Sequence, residues 1–221
     1  MKKIIAVIGL SRFGLNLVQD FSKLNVDIIA LDHNKENVLK ASEFVQNVVV
    51  ADSTNLEALR EAGIGNVDHV VVAIGQNEQA NLATSIITII KLKQLGITEI
   101  TARADDQDSA EALKLVGATN IVLPLNIASE RIAYKIASLD LVDYFNIKGD
   151  FSVAEIKVLD SFKPTLITEL NIRNNYNLNI LLIEQNGKML VPNKDTTINP
   201  GDEVFVFGKR KDLPKISQIF S

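Results

Sequence analysis

A chain of 221 residues, 47% of them hydrophobic, can bury one large core or two small ones, and none of its apolar runs approaches the roughly 18 residues of a membrane span. The formal net charge of −4 disfavours a protein whose main business is holding nucleic acid, because that needs a concentrated excess of Lys and Arg. The lack of cysteine removes disulfides, thiolate metal ligands and Cys nucleophiles, and His33 and His69 stand too far apart to begin a His-based metal site, so no metal is expected.

The opening run from Ile4 to Ile8 stops at Gly9, with Ser11 and Arg12 just beyond and no small-residue cleavage site; a buried first strand is expected rather than a signal peptide. Lys3 to Gly9, Val26 to Leu31, Asn47 to Ala51, Val67 to Ile74, Glu99 to Ala102 and Asn120 to Val122 read as strands. Between them Arg12 to Leu24, Lys35 to Phe44, Asn55 to Ala62, Glu78 to Leu95 and Ser109 to Val116 read as helices. Strands rich in Val and Ile without polar alternation belong in a parallel sheet covered on both faces, which gives a Rossmann-type, doubly wound α/β fold.

Pro124 marks a break, followed by a helix over Asn126 to Leu139 with an apolar stripe at Ile127, Ile132, Ile136 and Leu139. This stripe, like that of Leu82 to Leu95, either covers the sheet or packs subunit against subunit. The character changes around Asp143 to Asp150. Phe151 to Leu159, Leu178 to Gln185, Met189 to Val191 and Glu203 to Phe207 read as strands, helical signal is thin, and Asn186-Gly187 and Asn199-Pro200-Gly201-Asp202 favour hairpin turns. Two domains are expected: a nucleotide-binding domain over 1–142 and a smaller α+β domain over 143–221.

Gly9-Leu10-Ser11-Arg12-Phe13-Gly14 follows the first strand and opens a helix, the position of a dinucleotide-type phosphate loop. Such a loop wants glycine first for the tight turn, second for close approach of a pyrophosphate and third for helix packing; the second is Ser11 here. Arg12 adds a charge-assisted donor to backbone amides that already favour anions. Asp32 ends the second strand at about the distance where an acid bonds a ribose diol, with His33 beside it. The alternative for Asp32 is a helix N-cap, and the two roles are compatible. Asp52 and Ser53 follow the third strand, Ala73, Gly75 and Asn77 the fourth, and Arg103 the fifth, all at the carboxyl ends where open parallel sheets bind ligands. Asp52 suits an adenine edge and Gly75 a close backbone approach; capping of the next helices by Asp52 and Asn77 is an equal alternative. The block from Phe151 contains no His or Cys and shows no acid–base pair, so the ligand is expected to be sensed rather than converted. A small NAD-dependent oxidoreductase and a nucleotide-responsive transcription regulator are the alternatives.

The same glycine loop and Asp32, with Ala51-Asp52-Ser53-Thr54 and Val71-Val72-Ala73-Ile74-Gly75, resemble the domain that regulates potassium conductance in the Ktr and Trk uptake systems. Leu170 to Tyr176, Asn179-Ile180 and Pro200-Gly201-Asp202 resemble the smaller ligand-sensing domain of that family. The resemblance implies a cytoplasmic regulatory subunit, held on the inner face of the membrane by a KtrB/TrkH-like potassium channel or transporter subunit, and a homodimer assembling into an octameric ring. It implies ATP or ADP, or NAD(H) as in Trk relatives, held by Gly9, Ser11, Arg12, Phe13 and Gly14 at the phosphates, Asp32 at the ribose, Asp52 and Ser53 at the adenine, and Gly75 and Asn77 around them. It further implies cyclic di-AMP at Arg173, Asn179, Ile180 and Pro192. Some relatives carry an acidic cation ligand after the proline; Leu125 stands there in this chain.

Overall fold

The computed structural model describes residues 2–75, 79–137 and 141–220. They form two compact units, 1–125 and 126–221.

The first unit runs β1 (Lys3–Ile8), α1 (Arg12–Phe21), β2 (Val26–Asp32), α2 (Lys35–Ala41), β3 (Asn47–Val50), α3 (Leu56–Glu61), β4 (His69–Val72), α4 (Gln79–Gln94), β5 (Ile100–Arg103), α5 (Gln107–Leu115) and β6 (Asn120–Val122). All six strands pair in parallel, in the order β3-β2-β1-β4-β5-β6. Successive residues of β1 point to opposite faces, and both faces are dry. Ile5 and Val7 pack with Val18 of α1 and Val38 of α2, while Ala6 and Ile8 pack with Ile89 and Leu92 of α4 and Leu113 of α5. This double burial is why the strands read as unbroken apolar runs. Leu82 and Ile86 of α4, and Leu95 just after it, also lie against the Ala6 and Ile8 cluster, so that helix covers the sheet. The strand order reverses between β1 and β4, and their carboxyl ends border the crevice where open α/β sheets bind ligands.

The second unit holds most of α6 (Pro124–Ala137), then β7 (Leu141–Lys148), β8 (Phe151–Lys157), β9 (Thr165–Leu166), α7 (Ile167–Leu170), α8 (Ile172–Tyr176), β10 (Asn179–Gln185), β11 (Lys188–Leu190), β12 (Thr197–Ile198), β13 (Glu203–Lys209) and a 3-10 turn over Leu213–Gln218. Five strands form an antiparallel sheet in the order β11-β10-β13-β8-β7, and β12 pairs with β9. Its core gathers Tyr144, Ala154, Ile156, Ile183, Val204, Val206, Phe162 and Phe220. Asn199 to Asp202 form a braced turn: the Asp202 carboxylate accepts the Asn199 N–H and the Gln185 side-chain amide, each at 2.7 Å.

The units divide between Leu125 and Asn126, in the first turn of α6, whereas the sequence suggests a boundary at residue 142. The helix attaches to the second unit through side chains whose partners are distant in sequence. Tyr134 stacks on Tyr144 with ring centroids 4.3 Å apart, Arg131 pairs with Asp143 and lies over the Phe145 ring, and Glu130 meets Arg210 at 3.1 Å. Pro124 stands at the start of the helix instead of breaking the chain, a position where its missing N–H costs nothing. Ile127, Ile132 and Ile136 of the expected stripe stay exposed, and Leu139 lies outside the described residues. β7, not expected from the sequence, occupies most of the stretch where its character changes.

Asp143 and Glu155 stand opposite each other on β7 and β8, and Glu203 reaches Glu155 from β13. Burial first, then these carboxylates, push the Glu155 carboxyl up. A raised carboxyl contributes stability while protonated and loses it as pH rises through its folded value. Glu155→Gln is therefore expected to stabilise the second unit by about 0.5 kcal/mol at about pH 7, with the gain shrinking toward about pH 4. Urea unfolding at both values checks this; a Gln variant less stable at neutral pH would contradict it.

Candidate functional site

The β1–α1 corner is fixed by two glycines. Gly9 has φ +91°, and a Cβ there would stand 2.9 Å from the Ile74 amide nitrogen; a Cβ on Gly14 would stand 1.8 Å from the Gly9 carbonyl oxygen. Both therefore serve the packing of α1 on the ends of β1 and β4. Ser11 occupies the N-cap of α1, but its hydroxyl makes no capping bond, and the first turn carries no acidic residue. Arg12 is exposed at the first helical position. The helix start thus offers backbone N–H groups, the positive end of the helix dipole and a guanidinium together, which suits an anion.

Asp32, at the end of β2, is only 5% exposed. One carboxylate oxygen accepts the Leu10 N–H at 2.6 Å and the Asn37 side-chain amide at 3.2 Å; the other accepts the Asn34 N–H at 2.8 Å and lies 3.2 Å from His33 Nδ1. The acid stands where a ribose is expected, and it also braces the phosphate loop against the start of α2. It does not cap α2, because Asn34 does so through the Glu36 N–H. The His33 side chain is exposed.

At the end of β3, Asp52 is exposed and closes a local turn with the Thr54 N–H and hydroxyl at 2.9 and 2.7 Å. These two donors hold its carboxyl below the usual carboxylate range. Asn55, not Asp52, caps α3. Ser53 departs from expectation: it is 7% exposed, and its hydroxyl shares a 2.8 Å hydrogen bond with Thr88 of α4, so the structure commits that side chain to the core.

At the end of β4, Ala73 is buried and Gly75 half-buried, while Asn77 lies outside the described residues. A Cβ on Gly75 would stand 3.7 Å from Arg103 Nη1 and 4.0 Å from Ser11 Oγ, so the ends of β1, β4 and β5 converge there. Arg103 places Nε and Nη2 at 2.9 and 2.8 Å from one oxygen of Asp105, with its guanidinium 5.7 Å from the Phe13 ring centroid. Asp105, Asn34 and Asn37 are the neighbours that the sequence pattern does not single out; Asp105, two positions after Arg103, carries the only local signal.

In the second unit Arg173 is exposed on α8, Asn179 and Ile180 open β10, and Pro192 is half-buried after β11. No side-chain hydrogen bond among the described residues links these four. Among the described residues no helix is long and apolar enough to cross a membrane, and no group of three or more His, Cys, Asp or Glu could hold a metal ion.

Residues 5–124 match the TrkA-N domain and residues 165–221 the TrkA-C domain. Ktr system potassium uptake protein C of Bacillus subtilis (strain 168) is 33% identical over 219 residues, covering 99% of this chain and 97% of that protein. The chain belongs to the Ktr potassium-uptake protein family. Ktr system potassium uptake protein A of the same organism is 29% identical over 214 residues, with 96% and 95% coverage, so this Ktr-family chain spans nearly the full length of both relatives. The solved GsuK channel bound to NAD superposes on all of the Ktr-family chain and on 40% of its own length, with a TM-score of 0.65 at 18% identity, which shows a shared fold.

Proposed function

We propose that this chain is the nucleotide-sensing regulatory subunit of a Ktr-type potassium-uptake system. The first unit binds an adenine nucleotide, ATP or ADP, at the carboxyl ends of β1, β2 and β4, and its bound state biases a separate KtrB/TrkH-like membrane subunit from the cytoplasmic side. The observation that carries this reading is the start of α1, with exposed Arg12 and no acidic residue in its first turn, set at the strand-order reversal beside Asp32. The two Ktr relatives support the potassium-uptake context, and the NAD held by the GsuK channel supports an adenine-containing ligand on this fold.

The physical requirement is differential affinity. ATP carries one more phosphate than ADP, and only a difference in how the two nucleotides engage the Arg12 loops of paired subunits can shift an octameric ring between two shapes. The second unit is read as a sensor of cyclic di-AMP through Arg173, Asn179, Ile180 and Pro192, a reading carried by their residue pattern.

Arg12→Ala is expected to lower ATP affinity about tenfold, equivalent to about 1.4 kcal/mol, and to leave the melting temperature unchanged because the side chain is exposed. Titration calorimetry with ATP and ADP tests this. Equal affinity in wild type and variant would overturn the phosphate assignment, and turnover of a nicotinamide substrate would favour an oxidoreductase instead.

A further inference from the structure

The glycine pattern of the β1–α1 loop separates into two kinds of position. At Gly9 and Gly14 the fold itself forbids a side chain, because a Cβ would meet backbone at 2.9 and 1.8 Å. Position 11 differs. Ser11 has φ −64° and ψ −174°, extended backbone open to any residue; it is exposed, and its hydroxyl makes no capping bond. In loops of this kind the middle glycine answers to the ligand, since it lets the backbone approach a pyrophosphate. The chain keeps the two glycines that packing requires and replaces the one that only a closely seated pyrophosphate requires.

The direction of the Ser11 side chain then decides which ligands fit. Its Oγ lies 4.0 Å from where a Cβ on residue 75 would stand, and Arg103 Nη1 lies 3.7 Å from the same point. Ser11 therefore overhangs the short span between the start of α1 and the ends of β4 and β5. A dinucleotide must lay its pyrophosphate across this span while a nucleoside is anchored on each side, so it cannot retreat from the added Cβ. The phosphates of a mononucleotide are tethered at one end only; they can swing toward Arg12 and keep their contacts with the helix N–H groups.

We propose that Ser11 is a specificity-determining residue that admits adenine mononucleotides and disfavours dinucleotides of the NAD type. This rests on the nucleotide reading of the loop. The test titrates ATP and NADH into the full-length wild type, Ser11→Gly and Ser11→Ala proteins, with thermal melting as a check on folding. Glycine is well tolerated at a helix N-cap, so both variants are expected to fold. Ser11→Gly is expected to raise the NADH-to-ATP affinity ratio about tenfold or more. Ser11→Ala retains the Cβ and is expected to bind NADH as weakly as wild type. An NADH-to-ATP affinity ratio that is the same in wild type and Ser11→Gly would overturn the role of Ser11 and leave the nucleotide site standing. Folded wild type and Ser11→Gly proteins that bind neither ligand would remove the nucleotide reading, and this inference with it.

Discussion

Replacing Asp32 with Ala is expected to destabilise the first unit by about 2–4 kcal/mol and to remove most adenine-nucleotide binding at the same time. The sequence alone suggests a ribose ligand whose loss would spare the fold. The structure adds a second role, because the buried carboxylate accepts the N–H groups of Leu10 and Asn34. Leu10 is itself 1% exposed, so truncating Asp32 strands a buried donor in the phosphate loop, and an unsatisfied buried group costs about 1–3 kcal/mol before loss of the charge is counted. Asp32→Asn keeps the shape and one acceptor. It is expected to recover part of the stability but little of the binding. Denaturant unfolding with parallel calorimetry separates the two effects, and an Asp32→Ala protein as stable as wild type would show that the brace has no energetic weight.

Gly14→Ala is expected to be more damaging still, with a loss of about 3 kcal/mol or more and unfolding of the first unit near physiological temperature. Its Cβ would coincide with the Gly9 carbonyl, so α1 must lift off the strand ends. Val18, on the same helix, packs in the core beside Val7, Leu10 and Ala73, and those contacts would open with it. Ser11→Ala, three positions earlier, is expected to stay within about 0.5 kcal/mol of wild type, because the exposed residue makes no capping bond through its hydroxyl. Thermal unfolding of the two variants side by side measures the contrast, and a Gly14→Ala protein that melts like wild type would contradict the packing account.

The parallel sheet was legible because its central strands are buried on both faces: nothing in Ile4 to Ile8 or His69 to Val72 has to compromise with water over most of its length, and the apolar runs stand out. β7 was not legible. Asp143 and Asn146 interrupt its apolar residues, and it holds its place by pairing with β8 and by the grip of Arg131 and Tyr134 from α6. Nothing local in the sequence announces those partners. The same reason places the unit boundary in the first turn of α6.

Gly9, Gly14 and Asp32 stand out in the sequence because the phosphate-loop motif has fixed spacing, and the structure gives each a packing or bracing task. Ser53 does not, since its bond to Thr88 joins side chains 35 residues apart and is purely tertiary. The motif marks Ser11 as a departure, and only the backbone angles show that the fold is indifferent to it.

Potassium flux through the membrane subunit, reconstituted in vesicles with this chain, tests the nucleotide-sensing claim most directly when ATP and ADP are compared. The expected result is a flux that differs between the two nucleotides with the wild-type chain and becomes the same with Arg12→Ala. Equal flux under ATP and ADP with the wild-type chain would contradict the account.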